Sequence, residues 1–416
     1  MSDYLPREAL INILARLPAK SHLKFSCVCK SWLSLISSPD FTSAHLLLAT
    51  TKPPLLLLRH FSITPKCEEL YSLHSDDADF TSLQHLKCPF KTRSGCFFRV
   101  VGCCNGVVCL SDDCFGYTYT IILWNPVIRR YLTLPKPNLC FEDYGPYMFS
   151  LGFGFDEKTN DHKIVRIVYF EGAGNVKGWA VPPKVEVYAL STGLWKTIKR
   201  SKIGHHMVEF FWSSVFAKGG VHWMVYNGGK SMGFCNVVLV FDVGSEAFRE
   251  VKLPEKLVGD SPLDLAVAAY RDSISVFQYE NRGPYSCLGF TLWVMNEYGV
   301  EESWSKLFTG YLNDGVSRVL GFRNGEEVVA ENWDGELVSY QPGSIKKMGI
   351  CGGKESLYLG TYAESLVLLD GGNPVPEEEI LSSDGVDDFA KDPAVLFELE
   401  DNSLMHYLFA ASALNP

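Results

Sequence analysis

The apolar residues of the first 41 positions recur at helical spacing. Pro6 suits the first turn of a helix, and one apolar face then continues until Pro18, through Leu10, Ile11, Ile13, Leu14 and Leu17. Ser21 is a candidate cap for a second short helix, and a third is predicted from about Lys30 to Ile36, before Pro39. The pattern predicts three short helices.

These helices hold too few residues to be stable alone, since domains below about 40 residues usually need other support. They also carry more large apolar side chains than so small a core can hide, and exposed apolar patches generally mark an interface. We therefore expect residues 1–45 to dock on a partner. A cap that packs on the rest of the chain is the alternative.

From about Pro54 to Leu369 the pattern changes to short β-rich runs separated by Gly, Asn, Asp and Pro. Taken in fours, the runs give a repeat of roughly 40–60 residues. Leftover runs at the two ends, LLLLRH with CEELYSL and ESLYLGTY, form one further group. We predict a mainly β fold in which residues 54–369 form a six-bladed β-propeller, closed so that no sheet edge is open. Seven blades are the alternative, because residues 68–98 are hard to assign, and a β-sandwich is the alternative architecture.

Charge is concentrated at the end of the chain. Residues 371–416 contain ten acidic side chains and one lysine, which accounts for −9 of the net charge of −10. The remaining residues are nearly neutral, which argues against nucleic acid as a partner. The composition of 371–416 is typical of a flexible acidic tail, although residues 392–414 have the apolar spacing of a short amphipathic helix.

Composition also bears on location. Thirteen cysteines without regular spacing are typical of reduced thiols in the cytosol or nucleus. The first residues lack the basic region and apolar core of a signal peptide, and no uncharged apolar run reaches membrane-spanning length. We expect a cytoplasmic or nuclear protein, or both, with no membrane partner.

Residues with catalytic or metal-binding chemistry do not form a recognisable site. The cysteine cluster Cys103, Cys104, Cys109 and Cys114 lacks paired zinc-ligand spacing, and buried strand thiols are the favoured interpretation. His205, His206 and His222 are a weak candidate for a metal site. No HExxH metalloprotease motif is present. We predict no catalytic residue, no cofactor and no metal ion.

The first segment also resembles a known motif. LP at residues 5–6, ILARLP, VCKSW and PDF resemble the F-box over its whole length. In F-box proteins this module binds the Skp adaptor of a cullin-based ubiquitin ligase, and the five basic and three acidic residues of 1–45 suit an acidic partner. Lys24 stands where the family usually has arginine. A contact made by lysine keeps the positive charge but lacks the planar guanidinium group, which can form two parallel hydrogen bonds. By position, the resemblance implies an adaptor-binding set of Leu5, Pro6, Ile11, Leu14, Leu17, Pro18, Leu23, Val28, Cys29, Lys30 and Trp32.

The β-rich region carries a second resemblance. CCNGVVCL, LWNPVIRRYLTLP, GFGFDEKTNDHKIVRI, VEVYALSTGLWKTI, GVHWM, VFDVGSEAFREVKLP, LWVMNEYGVEESWSKLF and ENWDGELVSY resemble the F-box-associated interaction domain, a kelch-like propeller, of plant F-box proteins. The likeness runs from about residue 97 to 369. The pattern is also similar to S-locus F-box proteins of self-incompatibility, which recognise pollination ribonucleases, and to members that target immune receptors.

A candidate target site follows from the loops. Connections between the second and third strands of a blade, and between blades, are long and share one face of a propeller. Long loops on a rigid scaffold concentrate binding residues, and aromatic anchors among Gly and polar residues suit protein-binding surfaces. Aromatic residues of these loops are Phe115, Tyr117, Phe141, Tyr144, Tyr147, Trp179, Phe234, Tyr279 and Tyr285. The predicted target-binding set is Tyr117, Phe141, Tyr144, Trp179, Arg282 and Tyr285.

Together these features predict the substrate-recognition subunit of an SCF-type (Skp-cullin-F-box) ubiquitin ligase. Such a subunit holds a Skp-type adaptor, through it the cullin, and an unidentified target protein, and it performs no bond-making step itself. A scaffold or sequestering protein acting outside a ligase is the first alternative. A propeller enzyme with an incidental helical cap is the weakest.

Overall fold

A computed structural model gives the fold of most of the chain. The ranges that it describes are residues 6–62, 68–92, 97–113, 119–145, 147–170, 181–199, 203–207, 214–229, 233–280, 289–312, 314–353, 355–369 and 371–375.

Four helices open the chain, where the sequence predicted three. They are α1 (Arg7–Leu14), α2 (Ala19–Phe25), α3 (Lys30–Ile36) and α4 (Pro39–Thr50). Helix α2 begins directly after Pro18, so Ser21 lies inside it and does not cap it. Helix α4 begins at Pro39 because the Ser38 side chain accepts the Phe41 N–H and proline suits the first helical position. We call α1–α4 the helical module.

Six blades follow, four of them four-stranded sheets and two five-stranded, which confirms the predicted propeller and its blade number. Blade 1 contains β1 (Leu55–Ser62), β2 (Glu68–Ser75) and β3 (Ser82–Lys87), and blade 2 contains β4 (Arg99–Cys104), β5 (Val107–Ser111), β6 (Ile121–Asn125) and β7 (Arg130–Thr133). A short helix, α5 (Phe141–Tyr144), separates blade 2 from blade 3, which contains β8 (Tyr147–Asp156), β9 (Asp161–Phe170), β10 (Lys184–Ala189) and β11 (Leu194–Ile198).

The remaining blades repeat this arrangement. Blade 4 contains β12 (His206–Met207), β13 (Val215–Ala217), β14 (Gly220–Gly229), β15 (Gly233–Asp242) and β16 (Ala247–Lys252). After α6 (Glu255–Val258), blade 5 contains β17 (Leu265–Tyr270), β18 (Ser273–Glu280), β19 (Gly289–Met295) and β20 (Trp304–Tyr311). Blade 6 contains β21 (Arg318–Arg323), β22 (Glu327–Glu331), β23 (Glu336–Gln341) and β24 (Ser344–Cys351).

The ring closes through a late strand. The strand β25 (Tyr358–Tyr362) pairs antiparallel with β1, with Leu57 opposite Gly360, and becomes the first strand of blade 1. A last strand, β26 (Asn373–Pro374), adds to the outer strand β7 of blade 2. Residues 373 and 374 therefore belong to a sheet, although the sequence placed them in the tail; the tail from residue 376 onward lies outside the described residues.

The propeller has two distinct faces. Turns that join the first strand of a blade to the second, and the third to the fourth, form what we call the turn face. Connections between the second and third strands, and between blades, form the loop face. Helix α4 leads into the start of β1, the second strand of blade 1, so the helical module lies on the turn face. There the Ala19 N–H donates to the Glu364 carboxylate (3.0 Å), and Asn160 donates to the Ser43 hydroxyl (2.9 Å).

The apolar core of the helical module is continuous with that of the propeller. Leu14, Ile36 and Phe41 are buried in one cluster with Leu57 and Trp124 of blades 1 and 2. The module thus completes its core against the propeller, which is the packing given above as the alternative to docking on a partner. Among the described helices, none is long and apolar enough to cross a membrane.

Candidate interaction surfaces

The helical module exposes large apolar side chains. Four of the twelve large hydrophobic residues that are exposed in the described part of the chain belong to it, namely Ile13, Val28, Leu33 and Leu47. Val28 is 63% exposed and Leu33 48%. Such a concentration on four short helices is typical of a binding surface.

The residues of the predicted adaptor-binding set differ in exposure. Those at the surface are Pro6, Pro18, Val28, Cys29 and Lys30, and those half-buried are Ile11, Leu17, Leu23 and Trp32. Leu14 is 3% exposed, so its side chain packs inside the module and is not available to a partner in this arrangement. Leu5 lies outside the described residues. Leu33 and Leu47 are surface residues that the sequence analysis did not select.

Two buried histidines hold the inner side of the module. His22 lies with its Nε2 2.9 Å from the Leu14 carbonyl oxygen, and His45 with its Nε2 3.2 Å from that of Leu17. Their rings pack edge to face at 5.0 Å. Burial lowers the pKa of His22. Burial, together with the neighbouring His22 ring, also lowers the pKa of His45, to about 4. Both rings are therefore neutral at pH 7.

On the loop face, a buried ion pair fixes the segment that carries α5. The Arg166 guanidinium donates to the Glu186 carboxylate (2.6 Å) and to the Leu139 carbonyl (2.7 Å). Glu186 also accepts the backbone N–H groups of Asn138 (3.0 Å) and Leu139 (3.3 Å). Burial raises the pKa of Glu186, whereas Arg166 opposes that shift. The segment before α5 is thus tied to blade 3 by charge-assisted hydrogen bonds.

Two further hydrogen bonds hold the ends of this segment. The Trp195 indole donates to the Pro135 carbonyl (2.9 Å), and the Phe141 N–H donates to the Tyr119 hydroxyl (2.7 Å). The segment therefore has a fixed conformation from Pro135 to Phe141, although it is a connection between blades.

This segment and the helix α5 that follows it display two aromatic rings. Phe141 is 42% exposed and Tyr144 44% exposed. Tyr144 packs against Phe170 at 4.9 Å, and the Lys184 ammonium lies 3.9 Å from the centre of the Tyr144 ring. We call Phe141, Tyr144, Phe170 and Lys184 the aromatic platform. Phe170 is the last residue of β9 and Lys184 is the first residue of β10. Because both lie in strands, the prediction from loop residues did not include them.

Other residues predicted on the loops are placed differently. Tyr147 is the first residue of β8 and Tyr279 lies within β18. Both side chains are buried, so neither can serve as an anchor on the surface. The Tyr279 hydroxyl instead accepts the Val319 N–H (2.9 Å). Phe234 packs on Tyr226. Tyr117, Trp179, Arg282 and Tyr285 of the predicted target-binding set lie outside the described residues, as does Phe115.

Of the sulfur and imidazole groups singled out as metal candidates, Cys114 lies outside the described residues. Cys104 and Cys109 are buried, and burial raises the pKa of both thiols, that of Cys104 to about 12. His222 contacts the Tyr298 hydroxyl at 2.9 Å, while His206 packs on Tyr226. Within the described ranges, no three His, Cys, Asp or Glu side chains are grouped so that they could hold a metal ion.

Comparison with known proteins gives two family matches and several relatives. A model of the F-box domain matches residues 3–44, and a model of the F-box associated beta propeller domain matches residues 64–356. An F-box/kelch-repeat protein of Arabidopsis thaliana is 27% identical over 342 residues, which are 77% of this chain and 86% of the relative. F-box protein CPR1 of the same plant is 28% identical over 322 residues, 73% of this chain and 72% of that protein. A third Arabidopsis F-box protein is 27% identical over 384 residues, 82% of this chain and 85% of the relative.

Proposed function

Because the chain belongs to the family of F-box proteins with an F-box-associated β-propeller domain, we propose that it is the substrate-recognition subunit of an SCF-type ubiquitin ligase. In this role the helical module docks on a Skp-type adaptor, and through it on the cullin. The propeller presents a target protein for ubiquitination and degradation. The protein acts in the cytoplasm, the nucleus or both.

One observation carries this proposal. The apolar surface of the helical module lies on the turn face, whereas the aromatic platform lies on the loop face. Two proteins bound at these surfaces do not compete for space. Holding them on one rigid body raises the effective concentration of the target near the ligase, which is how a non-catalytic subunit accelerates transfer.

The positions of these two surfaces also indicate which part of the chain has which function. We propose residues 1–45 as the adaptor-docking unit, 54–369 as the target-recognition unit and 371–416 as an acidic segment outside both. The exposed members of the adaptor-binding set, Pro6, Pro18, Val28, Cys29 and Lys30, supply direct contacts. The half-buried residues shape the surface from beneath, among them Trp32, whose ring packs edge to face on Phe25 at 5.7 Å.

The aromatic platform is our proposed centre of the target site. Rings held by a fixed backbone give large contact area and lose little conformational entropy on binding. Phe141 and Tyr144 were predicted for this role from the sequence. The proposal extends to Tyr117, Trp179, Arg282 and Tyr285 because their connections belong to the same face.

Docking is tested with a charged substitution at an exposed position. Val28→Asp adds a charge to the apolar surface without emptying the core, so adaptor binding should fall at least tenfold while the melting temperature is unchanged. Leu194→Asp is the matched control, since Leu194 is 68% exposed at the start of β11. Equal adaptor affinity for both variants, measured by titration calorimetry, would contradict the docking assignment.

Target recognition needs a separate experiment. Phe141→Ala combined with Tyr144→Ala should remove a set of proteins from affinity capture while adaptor binding persists. Leu194→Ala with Ile345→Ala, both exposed on the turn face, is the control. For a captured protein, Val28→Asp should lengthen its half-life in cells. An unchanged half-life would favour a scaffold acting outside a ligase.

A further inference from the structure

The course of the chain after the ring closes determines where the acidic segment begins. From β25 the chain crosses the turn face, where Asn125 donates from its side-chain amide to the carbonyls of Ser365 and Val367, both at 3.0 Å. It then forms β26, with Asn373 opposite Tyr131 and Pro374 opposite Arg130. These contacts fix the path of the chain as far as residue 375.

The direction of β26 points the chain back toward the helical module. The strand β7 runs from the turn face to the loop face, and β26 is antiparallel to it. The chain at Val375 therefore heads for the turn face, where the Val375 N–H donates to the Arg129 carbonyl (3.0 Å). Val375 packs against the same apolar cluster that contains Leu14 and Phe41 of the module. The 41 residues from 376 to 416 therefore start on the face that carries the module.

The segment is long enough to reach any part of the module. A flexible chain of this length has a root-mean-square span of about 35 Å, whereas a small domain has a radius of gyration near 13 Å. Tethering at such a distance gives an effective concentration on the order of millimolar. At such a concentration, contacts with a dissociation constant near a millimolar would be about half occupied.

The charges of the two partners are complementary. Residues 376–416 contain ten acidic residues and one lysine, whereas residues 1–45 contain five basic and three acidic residues. Lys20, Lys24 and Lys30 are exposed on α2 and α3, and no carboxylate among the described residues forms an ion pair with them. Val28 and Leu33 offer apolar contacts beside these lysines, and the segment carries Val395, Leu396 and Leu399 at helical spacing.

We propose that residues 376–416 bind back onto the exposed surface of α1–α3 and compete with the adaptor for it. This inference rests on the proposed function only in naming the adaptor as the competitor. The bound segment covers the apolar and basic surface of the module when no ligase core is present. The adaptor must displace it, so the affinity of the adaptor for the intact chain is lower than the surface alone would give.

A direct test maps where the segment lies. Zero-length carbodiimide coupling of the full chain joins carboxylates to nearby lysines, and mass spectrometry identifies the pairs. Carboxylates of 376–416 should couple to Lys20, Lys24 and Lys30 rather than to Lys256 of α6 and Lys306 of β20, which are both exposed. Coupling spread evenly over all five lysines, or concentrated on the last two, would overturn the inference.

Competition is tested with matched charge changes. A triple variant, Glu377→Gln, Glu378→Gln and Glu379→Gln, should bind the adaptor about three- to tenfold more tightly than the native chain at low salt. The gain should shrink at high salt, because mobile ions screen surface charges. The control, Asp272→Asn, Glu297→Gln and Glu302→Gln, removes three exposed acidic charges from blade 5 and should leave the affinity unchanged.

The two proposals fail in different ways. Equal affinity of the native chain and the segment triple variant at low salt would overturn competition while leaving adaptor docking intact. Absence of adaptor binding by every variant would overturn the proposed function, and the coupling pattern would still decide whether the segment lies on the module.

Discussion

The helical module and blade 3 of the propeller differ in what holds them together. The module consists of four short helices whose buried side chains share a cluster with blades 1 and 2. Blade 3 is a complete antiparallel sheet with its own ladder of hydrogen bonds and a buried Arg166–Glu186 pair. A sheet of this kind fixes the loops at its ends, whereas the module relies on the propeller beneath it and leaves apolar groups exposed at the surface.

Their buried polar groups show the same contrast. In the propeller, buried charges face each other, as in the pairs Arg166–Glu186 and Arg99–Asp113. In the module, the buried polar groups are neutral imidazoles that meet backbone carbonyls. The propeller should therefore lose stability when one charge of a buried pair is removed. The module should lose stability when one of its buried histidines becomes charged.

The largest effect is expected inside blade 3. Glu186→Ala leaves Arg166 as an unpaired buried cation and frees the N–H groups of Asn138 and Leu139, so it should lower the free energy of unfolding by about 3–5 kcal/mol. Urea denaturation measures the loss. Glu301→Ala, which removes a partner of the exposed Lys252, should cost less than about 1 kcal/mol. Similar losses in both variants would refute the role given to the buried pair.

The next effect compares two leucines of the module. Leu14→Ala opens a cavity in the cluster shared with the propeller and should cost about 3 kcal/mol. Leu33 is 48% exposed, so Leu33→Ala should leave stability nearly unchanged while weakening adaptor binding. Thermal unfolding and adaptor titration of both variants separate core from surface. A destabilising Leu33→Ala would place that side chain in the core instead.

Acid should destabilise the module through His45. Its pKa is about 4 in the folded protein, against about 6.5 in an unfolded chain. Between these values the unfolded state binds more protons, so the free energy of unfolding falls as the pH falls, by about 2 kcal/mol at pH 5 relative to pH 8. His45→Gln should remove that part of the pH dependence. The check is urea denaturation of both proteins at pH 5 and pH 8; parallel curves would contradict the shift.

The smallest effect concerns the link between the two regions. Glu364 accepts the Ala19 N–H at the start of α2, so Glu364→Ala leaves a buried donor unpaired and should cost about 1 kcal/mol. Hydrogen exchange should quicken in α2 before it quickens in any blade. Glu355→Ala, at an acidic residue that precedes β25 and lacks this contact to the module, is the control. Unchanged exchange in α2 would show that the link adds nothing to the stability of the module.

Much of this architecture was predictable from periodicity and turn residues. Six groups of strands and the bounds of α3 follow from local patterns, because a blade repeats the same spacing and Pro39 limits the helix. The strand β3 was missed because it lies at the outer edge of blade 1 and is largely exposed, so it lacks clear alternation. Helix α4 was missed because Ser38 and Pro39 were interpreted as an end, although they also cap a start.

The candidate sites were predictable only in part. Phe141 and Tyr144 lie on the surface, as aromatic loop residues often do. Tyr147 and Tyr279 lie in strands and are buried, and they were selected wrongly because the loops were predicted to be longer than they are. The Glu186 anchor and the Glu364 cap join residues far apart in sequence, 47 positions in one case and 345 in the other. No local pattern carries such contacts, so only the folded chain reveals them.

Closure of the ring by β25 has a consequence for how the protein is made. Arg59 and Ser356, hydrogen-bonded in the finished ring, are 297 positions apart, and a ribosome adds about 5–20 residues per second. The helical module therefore emerges tens of seconds before the strand that completes blade 1 and the glutamate that caps α2. During that interval the nascent chain displays an open sheet edge and an unsupported apolar surface together. Chaperones at the exit tunnel, or an adaptor recruited during translation, would have to shield both until synthesis ends.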